Sequence, residues 1–220
     1  MTSFDVIVVG AGPGGYVAAI RAAQLGMKVG LVERDERLGG TCLNVGCIPS
    51  KVLLESSEIF FNIQQRSGLH GVLVENVTLN LPQMMKRKDE VVKELTDGIA
   101  MLMKKGKVTV FNGTGRLISP EQVEVIRTDQ SKETLQAPAI LLATGSQPIE
   151  LPFLPFDGKR VSIQPERSLL RRFPVTWSLL AAGPLALNSE AFGNGLALKS
   201  RWWKCCRKSF LPQILKLPAL

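Results

Sequence analysis

The chain has 220 residues, with 27 Lys plus Arg against 19 Asp plus Glu, a formal charge of +8 and 45% hydrophobic residues. That length holds one full domain and part of a second, and the apolar fraction supplies a packed core, which excludes an intrinsically disordered chain. No apolar run is long enough for a transmembrane helix, so no helical membrane span is expected.

Phe4 to Val9 is a short apolar run rich in β-branched residues and predicts a strand. It leads into Gly10-Ala11-Gly12-Pro13-Gly14-Gly15 and a helical pattern from Tyr16 to Leu25. In this context spaced glycines point to dinucleotide binding. Gly10 permits the tight turn, Gly12 lets the backbone approach a pyrophosphate, and Gly15 lets the helix pack close to the strand, with Pro13 in the loop and the helix N-terminus facing the anion. The next strand, Lys28 to Val32, ends in Glu33, at the spacing expected for a bond to a ribose hydroxyl. A tight turn with no ligand is the competing reading.

Gly39 to Lys51 reads Gly-Gly-Thr-Cys-Leu-Asn-Val-Gly-Cys-Ile-Pro-Ser-Lys and sets Cys42 and Cys47 where a helix is expected to begin. Pro49 suits a first helical turn, and Val52, Leu53, Leu54, Ile59, Phe60 and Ile63 continue an apolar-periodic stretch. A thiol at a helix N-terminus faces unpaired N–H groups and the positive end of the dipole, which stabilises its thiolate. Gly39, Gly40 and Gly46 give the backbone freedom to bring Cys42 round to Cys47, the layout of a redox-active disulfide. Two buried thiols, or two ligands of a metal, are the alternatives. A structural zinc would need further ligands, and His70, Cys205 and Cys206 are distant and poorly spaced, so no metal is expected.

Downstream, His70 stands in a turn-like stretch without a neighbouring carboxylate and reads as a loop histidine. Leu81 to Gly106 predicts one long helix, with Met84, Met85, Val91, Val92, Leu95, Ile99, Leu102 and Met103 as its core face. Lys107 to Phe111 is expected to be a strand, Arg116 to Ile118 with Gln122 to Arg127 a small antiparallel hairpin, and Ala137 to Leu142 a buried strand entering Ala143-Thr144-Gly145.

The glycine loop, Glu33, the Gly39 to Lys51 segment and Ala143-Thr144-Gly145-Ser146 together resemble the FAD-binding pyridine nucleotide-disulfide oxidoreductases over residues 1–161. Within that family the wording of Gly39 to Leu54 is most similar to the dihydrolipoamide dehydrogenases, with close variants in glutathione and mercuric reductases. The resemblance implies an α/β fold: a Rossmann-like FAD-binding domain with a central parallel sheet, a small antiparallel β-hairpin layer and a long helical insertion. It implies that Cys42 is the interchange thiol and that Cys47 lies against the flavin. Lys51 would stand near the flavin's reactive edge, Glu33 would hold the ribose, and Gly115 would touch the adenine. Gly40, Thr41, Thr144, Gly145 and Ser146 would line the cofactor. The implied reaction oxidises dihydrolipoamide, or the lipoyl domain of a 2-oxo acid dehydrogenase complex, through a Cys42–Cys47 disulfide and FAD to NAD, in a homodimer for full-length relatives. A non-catalytic FAD-binding fragment is the alternative. The first strand follows Met1 closely, so no leader is expected, and a cytoplasmic setting suits a catalytic disulfide.

Charge separates the remainder. Up to Val161 there are 18 Lys plus Arg against 17 Asp plus Glu, and from Ser162 onward 9 against 2, so +7 of the net +8 belongs to residues 162–220. That stretch carries Trp177, Trp202 and Trp203 and lacks a clean period. Ala181-Ala182-Gly183-Pro184 keeps a trace of a second glycine loop, so residues 162–220 read as an altered remnant of an NAD-binding domain, with the NAD site not intact. An out-of-frame stretch between Val161 and Leu211 is one expectation. A basic nucleic-acid arm is the rival, without a binding motif to frame it.

Overall fold

The computed structural model describes residues 2–147 and Pro152. The tail from Ser162, with its tryptophans, Cys205, Cys206 and the glycine-loop remnant, lies outside the described residues. Contacts divide the described chain into two units, one of residues up to Pro49 together with those from Asp89 on, the other of Ser50 to Lys88.

The first unit is built on a parallel sheet. Its strands are β2 (Val6–Val9), β3 (Val29–Glu33), β4 (Thr109–Asn112) and β8 (Ala139–Leu142), in the order β4-β3-β2-β8. Val6 faces Val29 on one side and Ala139 on the other, and Gly30 faces Thr109. The helix α1 (Pro13–Gln24) follows β2, as the loop and periodicity predicted, with Pro13 as its first residue.

Period-2 alternation sorts the strands between two cores. Val8, Val29 and Leu31 pack on one face with Ala19 of α1 and with Ile99 and Met103 of the long helix α4 (Leu81–Lys105). Ile7, Val9, Val32 and Phe111 pack on the other with Phe4, Val123, Val125 and Leu135. The Phe4 and Phe111 rings meet edge to face at 5.7 Å.

That second core is closed by a mixed sheet larger than the expected hairpin. The strands β5 (Thr114–Ser119) and β6 (Gln122–Ile126) pair antiparallel as predicted. Two further strands join them, β7 (Lys132–Gln136), antiparallel to β6, and the two-residue β1 (Thr2–Ser3), parallel to β7. The predicted first strand, Phe4 to Val9, is shorter than expected and begins at Val6, with Asp5 before it accepting the Lys28 N–H at 2.6 Å through its side chain.

Expected core assignments change on β8 and on α4. Leu141 and Leu142 are 40% and 59% exposed rather than buried, because β8 ends the sheet and lacks a neighbour on one side within the described residues. On α4 the buried positions are Met84, Lys88, Val92, Thr96, Ile99 and Met103, a stripe at steps of three and four. Leu95 and Leu102 lie off that stripe and are exposed. Thr96 settles its buried hydroxyl by donating to the Val92 and Lys93 carbonyls.

The second unit takes most of α3 (Cys47–Gln65) and a short 3-10 turn over Ser67–His70. Val52, Leu53 and Ser57 are buried, whereas Ile59 and Ile63, expected on the same stripe, are exposed. His70 is exposed, in keeping with a loop histidine. No described helix is long and apolar enough to cross a membrane.

Candidate functional site

The C-terminal ends of β2, β3 and β8 open on one edge of the parallel sheet, where such folds take their ligands. Gly10 leaves β2 with φ of +100°, a backbone region that L side chains avoid. A methyl there would also lie 2.3 Å from the Ala143 carbonyl oxygen. At Gly15 an added methyl would sit 1.7 Å from the Gly10 carbonyl oxygen, so the close approach of helix to strand is real. Gly12 differs: it is the N-cap of α1, with φ of −69°, and open space surrounds the position of its missing Cβ.

No side chain caps α1, and its first turn holds no acid. Its first N–H groups have no intrahelical partners, so this end of the helix can receive an anion. Glu33 stands beside it, 6% exposed. One carboxylate oxygen accepts the Ala11 N–H at 2.6 Å, and the other accepts the Asp35 N–H at 3.1 Å. Each oxygen keeps lone-pair capacity for a hydroxyl. Glu33 therefore also holds the glycine loop, a role that its spacing alone did not suggest. Glu33→Ala leaves the buried Ala11 N–H unsatisfied and should lower stability by about 1–3 kcal/mol. An exposed control, Asp35→Ala, should change it by less than about 0.5 kcal/mol. Equal urea midpoints for the two would refute the loop-holding role.

The cysteine segment joins this loop directly. The Gly39 N–H donates to the Ala11 carbonyl at 2.9 Å, and a methyl on Gly40 would lie 2.7 Å from the Gly12 Cα. Gly40, Thr41 and Cys42 belong to a short helix, α2 (Gly40–Asn44), which sequence reading did not anticipate. The Asn44 side chain closes it by donating to the Leu38 and Gly40 carbonyls at 3.2 and 3.0 Å. Cys42 packs against the first core, and Cys47 opens α3, as predicted. Both are half-buried, and the structure shows them as two thiols. Lys51 lies four residues beyond Cys47 on α3 and is exposed.

Of the remaining candidates, Thr144, Gly145 and Ser146 form the exposed loop after β8, with the Thr144 backbone nitrogen 3.2 Å from where a Gly10 Cβ would be. Gly115 is inside β5, and a methyl on it would meet Val9 at 2.8 Å and Val32 at 3.2 Å. Packing against β2 and β3 thus accounts for that glycine. Sequence reading missed the neighbouring Gly113, whose N–H donates to the Glu33 carbonyl at 2.8 Å. The uncapped α1 end, the open space at Gly12 and the buried carboxylate together fit the pyrophosphate and ribose of a dinucleotide.

Comparison with known proteins agrees. Residues 4–170 match the family described as pyridine nucleotide-disulphide oxidoreductase. The chain is 43% identical to dihydrolipoyl dehydrogenase 1, mitochondrial, of Arabidopsis thaliana, over 83% of this chain and 36% of that protein. It is 46% identical to dihydrolipoyl dehydrogenase 3 of Pseudomonas putida, over 85% of this chain and 40% of the relative. The HOCl-induced flavoprotein disulfide reductase RclA of Escherichia coli superposes with a TM-score of 0.74 at 22% identity, over 91% of this chain and 42% of that one, a likeness of fold. The chain thus spans about 40% or less of the length of these curated relatives.

Proposed function

Since the chain belongs to the pyridine nucleotide-disulphide oxidoreductases, a family of FAD-dependent oxidoreductases, we propose that it carries the FAD-binding and dithiol-reacting part of a dihydrolipoyl dehydrogenase. The observation that carries this reading is the contact of Gly39 and Gly40 with Ala11 and Gly12, which makes the cysteine segment and the dinucleotide loop one structure.

In this reading the α1 N-terminus, Gly12 and Pro13 receive the pyrophosphate and Glu33 the ribose. Gly40, Thr41, Thr144, Gly145 and Ser146 flank the cofactor, and Gly115, packed against Val9 and Val32, makes any adenine contact through its backbone. Lys51 contributes positive charge near Cys47. FAD, when bound, supplies the electron acceptor for the Cys42–Cys47 pair. The cysteines do the substrate chemistry. One thiolate of dihydrolipoamide attacks the Cys42 sulfur of the oxidised pair, the S–S bond breaks, and Cys47 leaves as thiolate at the α3 N-terminus. The second substrate thiolate then attacks the mixed disulfide and expels Cys42, so the substrate becomes a cyclic disulfide and the pair a dithiol. Two electrons enter the protein and the two substrate protons pass to solvent or the cysteines.

Residues 1–161 form the FAD domain in this proposal, and residues 162–220 an altered NAD-domain remnant. The expected partner is dihydrolipoamide, free or on a lipoyl domain, with NAD as terminal acceptor and a homodimer in full-length relatives, in a reducing cytoplasm. The purified 220-residue chain, loaded with FAD and mixed anaerobically with dihydrolipoamide, should retain one flavin per chain through gel filtration and oxidise dithiol in a single turnover. Flavin retained without dithiol oxidation would favour the non-catalytic fragment, and loss of the flavin would overturn both. Faster oxidation of glutathione than of dihydrolipoamide would move the reading to the glutathione reductase type.

A further inference from the structure

We propose that Arg34 and Gln147 form a clasp across the mouth of the dinucleotide crevice and slow escape of the cofactor, an inference that rests on the FAD reading above. Arg34 follows directly on β3, and Gln147 lies in the loop that follows β8. The Gln147 amide is assigned with its oxygen toward the guanidinium, the orientation that satisfies both groups, and that oxygen then accepts from Arg34 Nη1 at 2.9 Å and from Nη2 at 3.2 Å. Such a fork on one oxygen is geometrically specific.

What gives the contact meaning is the strand between its ends. In the sheet order β2 lies between β3 and β8, so the two side chains reach across two strand spacings, about 10 Å. They do so at the edge where β2 hands over to Gly10 and Ala11. That handover is tied on both sides: the Gly10 N–H donates to Val32, and the Ala143 N–H donates to Val9, each at 2.8 Å. A dinucleotide seated at Gly12 and Glu33 is therefore flanked by the very segments that Arg34 and Gln147 join. Arg34 also approaches Asp35 at 3.6 Å, but both of those side chains are more than half exposed, and the pair holds the guanidinium weakly. Exposed side chains change rotamer rapidly, so the clasp opens for entry and re-forms over the occupied crevice.

Gln147→Ala removes the clasp and leaves the Arg34 charge, while Gln147→Glu keeps an acceptor. The 220-residue chain is loaded with FAD and diluted into excess competing apoprotein, and flavin release is followed by fluorescence. Gln147→Ala should speed release about fivefold, the worth of one net hydrogen bond. Melting temperature should not change, and entry should be no slower. Gln147→Glu should release no faster than the unsubstituted chain, and Arg34→Ala combined with Gln147→Ala should release no faster than Arg34→Ala alone. Unchanged release from Gln147→Ala, or equally fast release from Gln147→Glu, overturns the clasp while leaving the FAD reading intact. Failure of the unsubstituted chain to hold FAD overturns the FAD reading and the clasp with it.

Discussion

Gly12→Ala should leave the chain folded and weaken its hold on the dinucleotide, whereas Gly15→Ala should strongly destabilise the fold. The two glycines stand three residues apart in one loop, yet their surroundings are opposite. A methyl on Gly15 would lie 1.7 Å from the Gly10 carbonyl oxygen and 2.9 Å from its carbon. Both obstacles are backbone, and Gly10 cannot retreat, because its N–H is bonded to Val32 and its own Cβ position faces the Ala143 carbonyl. Overpacking a rigid site costs about 1–3 kcal/mol and sometimes more, and here nothing flexible gives way, so a loss above about 3 kcal/mol is expected. That is a large part of the roughly 5–15 kcal/mol that holds a domain together. At Gly12 the backbone lies at φ −69° and ψ −178°, where alanine is comfortable, and nothing lies within 4 Å. Stability should move by less than about 0.5 kcal/mol. The methyl instead occupies the space into which a pyrophosphate would come, and loss of even one charge-assisted bond of about 1.5–3 kcal/mol lowers FAD affinity by roughly tenfold to a hundredfold. Urea unfolding and FAD titration of the two variants check this. Equal unfolding midpoints for Gly15→Ala and the unsubstituted chain, or full FAD affinity in Gly12→Ala, would show that the loop is not built as described.

These contrasts show what was legible in the amino-acid order. Features set by a few adjacent residues could be read: the strand, glycine loop and helix over Val6–Gln24, the acid at Glu33, and a helix beginning at Cys47. Each has a local cause, in turn geometry, strand alternation or proline at a first turn. Features set by distant partners could not. Lys132–Gln136 is a polar segment with weak alternation, and it becomes β7 because β6 and β1 offer pairing and Leu135 finds the second core. Leu141 and Leu142 look like core residues until the strand order places β8 at the edge of the sheet among the described residues. The helix around Cys42 was hidden by the glycines flanking it, and the closing bonds from Asn44 are tertiary detail that no periodicity records. The same holds for Glu33, whose spacing announced a ligand but not its bond to Ala11.

The cysteines give the other large expected effect, and their placement predicts that the two are not equivalent. Cys42→Ser and Cys47→Ser should each abolish dithiol oxidation, a loss of roughly a thousandfold or more, as for removal of a nucleophile from a concerted set. They should differ in what they trap. Cys47 is the first residue of the nineteen-residue α3, where the helix dipole stabilises a departing thiolate, whereas Cys42 sits in the five-residue α2 against the core. On the function proposed above, attack on the oxidised pair is expected at the Cys42 sulfur, with Cys47 as leaving group. In Cys47→Ser the Cys42 thiolate can open the ring of oxidised lipoamide, forming one new S–S bond and releasing the other lipoyl sulfur as a thiol held on the same adduct. The enzyme's own resolving thiol is gone but the lipoyl thiol on the adduct can still re-expel Cys42, so with that thiol alkylated by iodoacetamide as it forms, an adduct of one lipoamide per chain should be trapped and be visible by intact mass. It should disappear on addition of an external thiol. In Cys42→Ser the remaining thiol is the one that normally departs, and the adduct should be scarce. Equal adduct yields from the two variants, or dithiol oxidation by Cys42→Ser at the unsubstituted rate, would reverse the assignment of roles and leave the helix N-terminus without a part in choosing which sulfur is attacked.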